Sequence, residues 1–142
     1  MTEQKQNVSL ASLLTPSKTV AVDFPTLEGF TVELCYLARE ELIKLRGRCV
    51  SQKLNKKSRA FEETLDEGKF LTEYCKAVIK GWKGLKYKYL EELLLVDISG
   101  QEPEDDLSFS VENAETLMKN GADFDTWVTE VTGDLENFTK TK

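Results

Sequence analysis

The stretch DEGKFLTEYCKAVIKGWKG, residues 66–84, decides how the rest of the chain is read. Phe70 and Leu71, Tyr74 and Cys75, Val78 and Ile79, and then Trp82 recur about every four residues, which lays a continuous apolar stripe on one face of a helix. Asp66 is placed to cap its start by accepting from the exposed amides of the first turn, and Gly81 and Gly84 predict where it frays or stops. At about 1.5 Å per residue such an element is roughly 27 Å long, enough to cross a small domain, so the other elements are expected to pack on it.

Toward the amino terminus the period changes from four to two. Val20, Val22 and Phe24, and after the Pro25–Gly29 segment Phe30, Val32, Leu34 and Tyr36, alternate with smaller or polar residues, which predicts a β-hairpin over residues 18–37. Two strands alone are marginal in water, so the hairpin must lie on the helices or pair its edges elsewhere, another subunit included. Residues 1–17 carry only Leu10, Leu13 and Leu14 at helical spacing and end near Pro16; they read as a flexible arm or as a short helix that orders on a partner. Residues 37–50 predict a short helix with Leu42, Leu45 and Cys49 on one face, and Ala38 leaves it without a capping side chain. Ser51–Arg59 is basic and without periodicity and reads as an exposed loop.

Toward the carboxyl terminus, Tyr87, Leu90 and Leu94 share a face of a third helix, which ends before the acidic loop Gln101–Asp106. Ser110 looks like the cap of a fourth, with Glu112 near its positive end and Asn120-Gly121 as a left-handed stop. Asp123 is expected to cap a last helix, in which Phe124, Trp127, Val128, Val131, Leu135 and Phe138 form the buried side. The fold class expected from these elements is mostly α with an N-terminal β-hairpin (α+β): one small helical domain of about five helices over residues 18–138, helical from residue 38, with a tail at 139–142.

The chain of 142 residues is long enough for one core, and no apolar run approaches the roughly 20 residues that span a bilayer. Its start does not resemble a secretory signal, and Cys35, Cys49 and Cys75 are an odd number at wide spacing, which fits reduced, buried thiols in a cytosolic protein. The net charge of −6 conceals a polarity: residues 1–38, 39–88 and 89–142 carry −2, +7 and −11. Either the oppositely charged parts face each other within one chain, or they meet head to tail between copies.

Little in the sequence points to catalysis. There is no histidine, which removes the commonest general base and the Ser-His and Cys-His pairs. No glycine-rich phosphate loop occurs, and the carboxylates of residues 102–106 do not have the spacing of a calcium loop. No catalytic, cofactor-binding or metal-binding residue is assigned. The cations of residues 53–59 raise a nucleic-acid reading, against which stand the lack of an interleaved aromatic residue, the acidic segment that follows and a pI near 4.8. Trp82 and Trp127 lie on apolar stripes, where core packing competes with a role as interface anchors. Trp82, Lys83, Lys86 and Lys88, together with Trp127, are the candidate partner-binding residues.

REELIKLR followed by Cys49, the run AVIKGWKGLKYKYLEELL at 77–94, and SVENAETLMKN followed by FDTWVTEVTGDLENF at 110–138 resemble, in order and spacing, the tail assembly chaperones of long-tailed, siphovirus-like bacteriophages. Ala38, where a Ser is expected in such proteins, is a departure that touches helix stability. The resemblance implies a non-enzymatic scaffold in the host cell cytoplasm. It would bind the tape measure protein, help the tail tube protein polymerise, act as a homo-oligomer and be absent from the finished virion, with no cofactor and no membrane. Such proteins are often made in two lengths through a ribosomal frameshift. The rival expectations are a minor structural tail protein and a nucleic-acid-associated regulator that uses residues 53–59.

Overall fold

The computed structural model describes residues 8–139. A single-turn helix, α1 (Leu10–Leu13), has no buried residue and leads into the first hairpin, β1 (Ser17–Asp23) and β2 (Thr31–Leu37). Residues 1–7 of the expected arm and 140–142 of the tail lie outside the described residues. β1 and β2 pair antiparallel from Ser17–Leu37 to Asp23–Thr31, and Val32 and Leu34 are buried while Glu33 between them is exposed, as the two-residue period requires. The helix α2 (Arg39–Gly47) follows, and its cap position, Ala38, makes no side-chain hydrogen bond to it.

The expectation of a mostly helical chain with one hairpin is overturned. Among the described residues there are seven helices and five antiparallel strands in two sheets, an α+β mixture. The first correction concerns the stretch 66–84. Asp66 does cap α3 (Glu67–Val78), its carboxylate accepting from Lys69 N–H at 3.0 Å, but the helix ends at Val78 and the chain turns extended at Ile79. Ile79–Lys83 is a strand, β5, which pairs antiparallel with β2 and completes a three-stranded sheet of order β1-β2-β5. Gly81 and Gly84, three positions apart, weaken a helix by about 1 kcal/mol each, whereas β2 offers an unpaired row of backbone groups. Pairing Val32 with Trp82 and Leu34 with Ile79 satisfies that row and buries both β5 side chains. The edge of the first hairpin is thus filled by the same chain.

The second correction is at the basic segment. Val50–Asn55 (β3) and Ala60–Leu65 (β4) form a second hairpin, with Lys53 opposite Glu62 and Leu54 opposite Phe61. Its strands contact chiefly each other, and its root is held where Asp66 N–H donates to the Cys49 carbonyl at 2.8 Å. The third correction is at the carboxyl end. α4 (Tyr87–Leu93) and α5 (Val111–Asn120) stand where expected, and Ser110 Oγ accepts from Asn113 N–H at 3.0 Å. The expected last helix is broken at Gly133 into α6 (Ala122–Thr132) and α7 (Glu136–Thr139), and Gly121 rather than Asp123 occupies the α6 cap. Gly121 has φ −102°, so it is no left-handed stop; a Cβ there would meet the carbonyls of Leu117 and Leu93 at 2.9 and 3.3 Å, and it is this close approach that calls for glycine.

α5 packs on both α3 and α6, α3 and α6 pack on β2, and α7 meets β1. Thr72 Oγ1 donates to Glu115 at 2.6 Å, tying α3 to α5, and Tyr74 Oη lies 2.6 Å from the buried Thr132 Oγ1, tying α3 to α6. Between sheet and helices runs a file of rings: Phe109 edge-on to Trp82 at 5.1 Å, Trp82 to Phe30 at 6.4 Å, Phe30 to Phe124 at 6.3 Å, and Phe24 to Trp127 at 4.8 Å. Trp127 is the half-buried end of this file.

Candidate partner-binding groove

The five candidate residues are not brought together. Trp82 is buried, its indole Nε1 donating to the Leu107 carbonyl at 3.0 Å, and it serves the core. Lys83 is exposed at the end of β5 opposite Thr31. Lys86 and Lys88 both grip one carboxylate, Glu104, at 2.9 and 2.6 Å, and both ammonium groups lie 6.0 Å from the Tyr89 ring. Hydrogen bonds from Lys88, then Lys86, hold the Glu104 carboxyl down from its ordinary 4.5 to about 2, and the same bond raises Lys86. The acidic loop is laid against this corner by backbone bonds: Tyr87 N–H to Asp105, Lys88 N–H to Pro103 and Leu107 N–H to Leu85. Among the described residues, the ion pairs that join the basic middle of the chain to its acidic carboxyl-terminal part are those of Lys86 and Lys88 with Glu104.

Of the five, Trp127 borders a depression lined by both apolar and acidic side chains. Between the β1–β2 turn, α4 and α6 lies a groove of about 480 Å³, within the range of about 300–1,000 Å³ typical of ligand pockets. Phe24, Leu93 and Trp127 form its apolar floor, and Glu92, Asp123 and Glu130 its rim. Each element has a local reason to present these groups. Phe24 is the inward residue at the end of β1, where its N–H donates to the Phe30 carbonyl at 2.9 Å and closes the turn. Tyr89 Oη donates to the Glu28 carbonyl at 2.6 Å, which fastens α4 to the same turn. On α6, Asp123, Trp127 and Glu130 follow at intervals of four and three and so share a face, with Asp123 favourably placed in the first turn. None of the three rim carboxylates makes an ion pair among the described residues. Three like charges around an apolar floor are the chemical complement of a cationic, partly apolar group.

The second hairpin is the other feature the sequence reading missed. Leu54 and Phe61 are 55 and 70 % exposed and face each other across the strands. Phe61, two residues beyond the basic segment in sequence, is brought by the hairpin opposite Leu54 within it. Lys53, Lys56, Lys57 and Arg59 make no ion pair among the described residues, in contrast to Lys86 and Lys88. The tip is ordered: Arg59 N–H closes on the Asn55 carbonyl, and the Asn55 side chain accepts from Lys57 and Ser58 N–H and donates to Glu62 at 2.7 Å. The signals were present in Asn55, a turn former, and in the opposition of Lys53 to Glu62.

The three thiols are free and buried. Desolvation, aided by Glu115 and Asp125, pushes Cys75 up to about 11, the reverse of an activated nucleophile. Among the described residues no group of three or more potential ligands is arranged to hold a metal ion, and no helix is long and apolar enough to cross a membrane. No family model matches the chain, and neither does any curated protein or any solved structure.

Proposed function

We propose that this chain is a non-enzymatic tail assembly chaperone of long-tailed bacteriophages, which in the host cell cytoplasm binds the tape measure protein, promotes tail tube assembly and stays out of the virion. One observation carries the reading: the chain keeps two ordered surfaces of opposite charge unsatisfied, a basic hairpin with Leu54 and Phe61 exposed and an acid-rimmed groove floored by Trp127. A scaffold that coats a long, largely helical client needs repeated, reversible contacts between identical copies, and unlike charges on two faces of one chain supply them. The sequence resemblance over residues 39–49, 77–94 and 110–138 supports the same reading. In the second of these the chain is strand β5 followed by α4, so that similarity rests on the order of residues and not on one continuous helix.

Co-expression with the tape measure protein of the same phage tests it. The client is expected to move into the soluble fraction, and a client that stays as insoluble as without the chain refutes the proposal. Mass spectrometry of purified virions separates it from a minor structural tail protein, which would be present there in fixed stoichiometry.

A further inference from the structure

We infer that the β3–β4 hairpin of one copy docks, tip first, in the groove between α4 and α6 of a second copy, so that the chains associate head to tail. The hairpin is built as an insert. Six-residue strands at about 3.4 Å per residue make a finger of roughly 20 Å, and a two-stranded ribbon of this kind is marginal in water without a surface to cover its apolar face. On that face Leu54 and Phe61 form a directly opposed pair, and the turn next to them carries Lys56, Lys57 and Arg59. Arg59 has φ 60°, the left-handed region that favours glycine. A cation is kept at a position where glycine or asparagine would be less strained, which fits a turn whose charge is used.

The groove is the chemical complement. Phe24, Leu93 and Trp127 offer an apolar floor to Phe61 and Leu54, and Glu92, Asp123 and Glu130 stand around it for the turn cations. A nucleic acid fits the finger less well, because Phe61 is the one aromatic residue of residues 50–65 and single strands are held by stacking on successive rings. The two surfaces differ, so the contact is heterologous and leaves a free finger and a free groove at the ends of every open assembly. It can therefore continue into a ring or an open helix rather than stop at a dimer. The inference deepens the chaperone reading and rests on it for the purpose of the repeat, but the association itself is measured without any client, so that each can fail alone.

The test is sedimentation velocity of the purified full chain from micromolar to millimolar concentration at low and high salt. The mean mass should rise with concentration and fall with added salt. Phe61→Ser should weaken association by about 30-fold, as for a hot-spot residue. E92K/E130K, which leaves the hairpin untouched, should abolish self-association, and circular dichroism should show both variants folded. Mixed together, they should form a 1:1 heterodimer that does not grow, because the one intact finger and the one intact groove can pair once. A wild-type chain that stays monomeric at low salt overturns the inference, as does a Phe61→Ser chain that associates like wild type or a mixture that fails to pair. A monomeric chain that binds an oligonucleotide with steep salt dependence overturns it in favour of a nucleic-acid surface.

Discussion

Replacing Gly84 with alanine should destabilise the fold more than the same change at Gly29, although both glycines have positive φ, 77° and 84°. Forcing an L-residue into the left-handed region costs about 1–2 kcal/mol at either position. At Gly29 nothing lies within 4 Å of the point where an alanine methyl would sit, and the conformational cost stands alone. At Gly84 the new Cβ would lie 2.0 Å from the Gly29 carbonyl oxygen and 2.8 Å from its carbon, both backbone atoms that no rotamer change can clear. The end of β5 and the β1–β2 turn must then move apart, an overpacking cost of typically about 1–3 kcal/mol. The total for Gly84→Ala is about 2–5 kcal/mol, a large share of the roughly 5–15 kcal/mol that holds such a domain together, and the melting temperature should fall by about 10 °C. Urea titrations of both variants, followed by circular dichroism and tryptophan fluorescence, measure the difference. Costs equal within about 0.5 kcal/mol would refute the close approach of the two glycines as the reason for Gly84.

Trp82→Phe keeps the ring in the core but leaves the Leu107 carbonyl without its indole donor, and should cost about 1–3 kcal/mol in a urea titration. Glu104 binds its proton less readily when folded, so its stabilising contribution is complete above its ordinary value of 4.5 and is lost as the pH falls from there toward about 2. Glu104→Gln should flatten the acid limb of the stability curve within that window, and an unchanged limb would show that the two lysine contacts do not form in solution. The thiols of Cys35, Cys49 and Cys75 should react with a disulfide reagent at neutral pH far more slowly in the folded chain than in denaturant. Prompt labelling of any of the three in the native state would contradict their burial.

Much of the local structure is legible because it is decided within a few residues. Asp66 and Ser110 cap their helices as their side-chain chemistry requires, and Ala38 leaves α2 uncapped. The alternation from Val20 to Tyr36 reads as a hairpin because one face of β2 is buried. The second hairpin escapes the same reading for a physical reason: no residue of β3 or β4 is buried, so no buried face imposes an alternation, and the ladder between the strands leaves no mark on composition. Of the candidate site, Trp127 is found from its place on an apolar stripe, whereas Phe24 reads as an ordinary strand residue and Glu92, Asp123 and Glu130 as solvated acids. Their meeting depends on three segments far apart in the chain.

By itself the sequence determines the alternation of the first hairpin, the caps at Asp66 and Ser110, that the cysteines are not a disulfide framework, and that charge is unevenly spread. The tertiary structure decides whether residues 79–83 end a helix or join a sheet, because Val78, Ile79 and Trp82 suit either period and only the open edge of β2 tips the balance. It also decides which charges are spent within the chain. Lys86 and Lys88 share the carboxylate of Glu104, which the fold brings beside them, while the hairpin cations and the groove carboxylates are held apart on surfaces of their own.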